Sequence, residues 1–171
     1  MKKYLSLLLS FLGLSCSTSQ IAMQPQESFD IKRYMGKWYE IARLPNSFEE
    51  GLEENTAFYD LREDGKVTVI NQGRVVADKS RYKEVKGRAW VPDQNEPSKL
   101  KVSFFWPFAG DYWVLSVDKD YTIALVGDPS RKYLWILARE KAPDPKVVSE
   151  LKAYASSLGY AVEYMVSGLA D

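Results

Sequence analysis

The chain contains no histidine, and Cys16 is its only cysteine. The first absence removes Ser-His-Asp and Cys-His catalytic groupings and the common zinc sites; the second removes any intramolecular disulfide. Neither sign of charge is in excess, because 23 Lys and Arg face 23 Asp and Glu. Phosphate recognition needs a concentrated basic face, so no nucleic-acid partner is expected, and nothing in the chain calls for a metal or cofactor. Long apolar runs are also missing. The longest, Leu5 to Leu14, is too short to span a bilayer, and behind Lys2 and Lys3 it has the form of an export leader.

What is present is aromatic and strand-like. Phe, Trp and Tyr make up 13% of the residues, enough with the aliphatics to build a core for one domain. From Tyr34 onward short apolar runs alternate with turn chemistry, which predicts strands near Trp38–Arg43, Asn55–Arg62, Lys66–Gln72, Arg81–Val91, Lys99–Phe104, Tyr112–Val117, Thr122–Val126 and Tyr133–Arg139. That spacing fits an all-β sandwich or barrel. Asp64-Gly65 suits a tight hairpin, and Pro92 to Pro97 cannot continue a ladder. One helix is expected: Asp144 caps it, Pro145 takes its first position and Gly159 ends it, with Val147, Leu151, Tyr154 and Leu158 on one apolar stripe. A short ninth strand is expected at Ala161–Met165.

Three segments carry a family resemblance. Gly36-Lys37-Trp38-Tyr39-Glu40-Ile41-Ala42-Arg43 resembles the first lipocalin signature; Gly127-Asp128-Pro129 and Trp135-Ile136-Leu137-Ala138-Arg139 follow in the family's order. The likeness runs from about Phe29 to Met165 and points to the bacterial subgroup. It implies an all-β fold: an eight-stranded antiparallel up-and-down barrel with one C-terminal α-helix packed outside. It also implies structural roles for Gly36, Trp38, Gly127, Asp128 and Arg139, the arginine covering the tryptophan at the closed end. Gly13-Leu14-Ser15-Cys16 resembles the lipobox of bacterial lipoproteins, in which the cysteine is acylated; an ordinary secretory leader cut nearby is the alternative. On the lipoprotein reading, residues 1–15 are a signal peptide, 16–28 a lipidated tether and 29–171 the domain. Ser17 after the cysteine implies the outer membrane, with the barrel facing the periplasm.

Strand alternation assigns part of the barrel interior. Val85, Gly87 and Ala89 alternate with Glu84, Lys86 and Arg88, and Leu100, Val102 and Phe104 with Lys99, Lys101 and Ser103, so the apolar sets face inward and the small residues leave space. Trp135 and Leu137 share the face of Arg139. The family's pattern adds Ala57, Tyr59, Val67, Val69, Asn71, Tyr112, Val114 and Ser116, with Asn71, Tyr59 and Tyr112 as head-group contacts. The ligand-binding set is thus Ala57, Tyr59, Val67, Val69, Asn71, Gly87, Ala89, Val102, Phe104, Tyr112, Val114 and Trp135. The resemblance implies a fatty acid or lysophospholipid ligand, stored or transported in the envelope without a cofactor. A tetrapyrrole or sterol-like ring is the alternative ligand. An enzyme using Glu40, or an envelope interaction module, is the alternative function, and a homodimer through the mouth loops stays open. Residues 46–55 are expected as a partial lid. Trp106, Pro107 and Phe108 form either a loop packed on its neighbours or a patch facing a membrane or partner.

Overall fold

A computed structural model describes residues 23–170; the leader and Cys16 lie outside them. A single helical turn, α1 (Ile31–Tyr34), precedes β1 (Gly36–Arg43), β2 (Leu52–Leu61), β3 (Val67–Val75), β4 (Asp78–Trp90), β5 (Lys99–Phe105), β6 (Phe108–Val117), β7 (Ile123–Gly127) and β8 (Leu134–Ala138). Each strand pairs antiparallel with the next. β1 closes the sheet by pairing β2 through Gly36–Tyr39 and β8 through Tyr39–Arg43. The result is a closed eight-stranded barrel, which leaves no long edge open.

Helix α2 (Pro145–Ser157) begins where expected, with the Asp144 carboxylate accepting from the Lys146 amide at 2.8 Å. Ala155 and the following Leu158 are fully buried in a cluster with Leu115, Leu125, Leu134 and Ile136, so the helix lies on the outer wall. The C-terminal expectation needs correction. Ala161–Met165 is not a strand: Val162–Tyr164 form a 3₁₀ turn, and β9 is only Val166–Ser167, paired with Ala42 and Arg43. Met23 also packs in the outer cluster, and the Gln26 amide donates to Val114 O at 2.9 Å, so the end of the expected tether lies against the barrel.

Two irregularities set which residues point inside. Between Val114 and Ser116 the β6–β7 register shifts, so Ser116 opposes outward Leu125 while Val117 opposes inward Ala124. The family's pattern implied Ser116 inside; the bulge puts it outside. A matching shift in β1 between Glu40 and Ala42 lets Glu40 oppose Leu137 and Arg43 oppose Trp135, so both polar residues enter the barrel.

One end of the barrel is plugged. α1, capped by the Asp30 carboxylate, drives Tyr34 under the strands beside Phe29, and the Trp38 indole donates to Tyr34 O at 2.8 Å. The Arg139 guanidinium lies 3.8 Å from the Trp38 ring centre. It donates to five backbone carbonyls, those of Tyr121, Lys37, Arg33, Tyr34 and Met35, at 2.8–3.2 Å. Gly36, which enters the strand beside the guanidinium, takes φ 94°, a backbone conformation that any side chain would strain. The cation–π contact alone contributes roughly 0.5–2 kcal/mol. Arg139→Ala leaves several carbonyls at the plugged end without their donor, and we expect a loss of about 3 kcal/mol in urea unfolding. A loss under about 1 kcal/mol would show that the plug is dispensable.

Candidate functional site

The barrel lumen is built by residues that face each other across the ladders. Ala57 opposes Asn71, which opposes Val85; Tyr59 opposes Val69, which opposes Gly87; Val67 opposes Ala89, which opposes Val102. Leu100 opposes Tyr112, Val114 opposes Val126, and Trp135 flanks Arg43. All twelve residues of the expected binding set therefore lie on the inner face. They divide by depth. Ala57, Tyr59, Val67, Val69, Ala89 and Val114 are buried in one core cluster with Trp38, whereas Asn71, Gly87, Val102, Phe104, Tyr112 and Trp135 are only partly buried.

Gly87 departs from expectation. Its missing side chain does not leave empty space, because the Phe104 ring folds onto it; a Cβ there would lie 2.6 Å from that ring. Val85, one pair nearer the mouth, keeps 37% of its surface accessible although it points inward.

Polar groups occur at two levels. Deep in the lumen the hydroxyls of Tyr34, Tyr112 and Tyr59 form a chain, each step 2.8 Å. Three O–H groups share two hydrogen bonds, so one proton remains for another acceptor. Burial raises all three phenols, keeping them neutral. Higher up, the Asn71 side-chain oxygen is buried without a hydrogen-bond partner among the described residues.

At the mouth, residues 44–51 connect β1 to β2; the lid is shorter than expected because β2 already starts at Leu52. It is pinned from inside. The Arg43 guanidinium donates to the Glu40 carboxylate at 2.7 Å and lies 3.5 Å from that of Glu49. The Asn55 amide donates to Glu40 at 3.2 Å, the Trp135 indole to Glu49 at 3.1 Å, and the Asn46 amide also reaches Glu49. Phe48 closes over this cluster against Tyr133 and Trp135, ring centres 5.5 and 6.4 Å away. Glu40 was singled out in the sequence; Arg43, Glu49, Asn55 and Tyr34 were not. Arg43 is hidden by the bulge that turns it inward. Tyr34, four residues before Trp38, was within reach of a search for the indole's partner.

An antiparallel barrel plugged at one end and lidded at the other, with partly accessible apolar walls, has the architecture of a container for a small molecule. The chain belongs to the lipocalin family, whose Lipocalin-like domain model matches residues 29–168. It is 42% identical over 159 residues to the outer membrane lipoprotein Blc of Escherichia coli strain K12, covering 92% of this chain and 89% of that protein. It is 36% identical to temperature-induced lipocalin-1 of Arabidopsis thaliana, covering 85% and 81%, and 37% identical to apolipoprotein D of Bos taurus, covering 82% and 76%. Among solved structures, insecticyanin from the tobacco hornworm Manduca sexta superposes with a TM-score of 0.70 at 22% identity, over 88% of this chain and 86% of that one, and so shares the fold.

Two carboxylates face one guanidinium in this lid cluster. Burial first, and then the negative Glu49 nearby, push Glu40 up to about 8 against the opposing pull of Arg43. Glu40 titrates near 4.5 when unperturbed, so the folded chain keeps a proton that the unfolded chain loses. The associated stability is full below about 4.5 and is lost as pH rises through about 8. We therefore expect unfolding midpoints to fall across that window, and Glu40→Gln, which resembles the protonated side chain, to flatten the fall. Parallel pH profiles for the two proteins would contradict this assignment.

Proposed function

We propose that the lumen binds one acyl-chain amphiphile, a fatty acid or lysophospholipid, for storage or transport in the cell envelope, and that an acyl anchor on Cys16 holds the barrel at the outer membrane on its periplasmic side. The observation that carries the ligand reading is the incomplete burial of inward-facing Val85, Val102, Phe104, Tyr112 and Trp135. Apolar side chains that enter a barrel yet stay accessible gain when an alkyl chain covers them, at roughly 0.8 kcal/mol per buried CH₂ before ordering costs. The unpartnered Asn71 oxygen and the spare tyrosine proton supply the few fixed polar contacts that orient such a ligand. The membrane reading draws on the lipobox-like segment and on the likeness to the outer membrane lipoprotein of Escherichia coli.

Glu40 supports a structural rather than a catalytic role, because Arg43 and Asn55 already occupy its carboxyl group and it is only 3% accessible. Native mass spectrometry of the protein titrated with oleate and with lysophosphatidylethanolamine tests the ligand reading. We expect one ligand per barrel at micromolar affinity or better, weakened about tenfold by Trp135→Ala. No retained amphiphile of either kind would redirect the function to the outer surface.

A further inference from the structure

The largest exposed aromatic cluster is the β5–β6 hairpin tip: Phe105, Trp106 and Phe108 are 75%, 71% and 77% accessible. The reading that packs this loop on its neighbours is therefore not realised. The tip belongs to a wider asymmetry. Exposed apolar side chains also stand on the other mouth connections, Phe48 on the lid, Val76 between β3 and β4, and Tyr133 between β7 and β8. The connections at the plugged end, residues 62–66, 91–98 and 118–122, carry no large exposed apolar residue. Scattered exposed apolar residues are ordinary; a rim of them at one end of a barrel marks an interaction surface.

Two observations select the partner. The first is the path of the N-terminal chain. From Phe29 at the plug it passes Gln26, bonded to Val114, and reaches Met23 beside Tyr160, whose hydroxyl donates to Asp128 O at the mouth end of β7. The chain therefore leaves the barrel heading toward the mouth. Seven residue-to-residue steps lead from Met23 back to Cys16, a reach of at most about 25 Å. The tip stands five residues beyond Trp113 along β6, about 17 Å, so an anchor at Cys16 can lie in the plane of the aromatics. The second is charge. The Arg88 guanidinium sits over the Trp106 ring at 4.5 Å and has no carboxylate partner among the described residues, leaving a cation beside the tip for a phosphate.

We infer that the mouth rim, led by Phe105, Trp106 and Phe108, docks onto a phospholipid bilayer surface and turns the barrel opening toward the membrane. The inference rests on the acyl-anchor reading for its direction. Aromatic rings enter the interfacial layer while Arg88 meets the phosphates, so lipid passes between bilayer and lumen at the docked face.

The test uses the full-length protein as matured by its host, bound to mixed phosphatidylcholine and phosphatidylglycerol vesicles carrying brominated acyl chains. The fluorescence component that Trp106→Phe removes should be quenched by the bromines. Phe105→Ser with Phe108→Ser, which keeps the Trp106 reporter, should lose most of that quenching without shifting the thermal midpoint. An unquenched Trp106 component overturns the proposal. So does loss of a sedimenting dimer in the double variant with quenching unchanged, which would assign the tip to a second copy of the chain. The intact mass of the same sample decides the anchor separately: a mature protein without the acyl mass but with quenched Trp106 removes the anchor and leaves the docking.

Discussion

Arg139 carries its charge into the base of the barrel without a carboxylate to meet it among the described residues. Its donors are spent on the carbonyls of Arg33 to Lys37 and Tyr121, and its face is spent on Trp38. These carbonyls belong to the segment entering β1 and to the β6–β7 connection, so one side chain ties together two connections at the plugged end of the barrel. A planar fork with five donors performs this task and an ammonium group does not. With the plug in place, Tyr34 is held below the lumen, and the tyrosine chain through Tyr112 and Tyr59 takes its position from it.

The same barrel wall is then graded along its length. Near Arg139 the interior is packed solid by Trp38, Val67 and Ala89; in the middle it is apolar and partly accessible; at the mouth it is ionic. The bulge in β1 produces the ionic level, because without it Arg43 would take the outward face and Glu40 would be buried without its guanidinium. A buried carboxyl group without its guanidinium is costly, so Glu40, Arg43 and Glu49 stand or fall as one unit. That unit fixes the lid through its own backbone and side chain: Arg43 also donates to Glu49 O at 3.3 Å.

Much of this was legible in the sequence where a periodic signal exists. The alternation of Val85, Gly87 and Ala89 with charged neighbours fixed β4, and Asp144-Pro145 fixed the start of α2. A regular two-residue repeat breaks wherever a strand inserts a residue, so the family's pattern carried onto β6 put Ser116 on the wrong face, and Arg43 was passed over in β1. Local composition also says nothing about what a neighbouring strand lends: the gap at Gly87 is filled by Phe104 from β5. The two-residue β9 has no pattern of its own and exists because β1 offers an edge beyond Tyr39, where β2 has turned away.

In the proposed function an acyl chain occupies the space above the tyrosine cluster. The most direct measurement is an isotope-filtered NMR experiment on the protein holding a ¹³C-labelled lysophospholipid. The account expects contacts from the alkyl chain to the methyl groups of Val85 and Val102 and to the rings of Phe104, Tyr112 and Trp135. Contacts confined to Phe105, Trp106 and Phe108, with none inside the barrel, would contradict it.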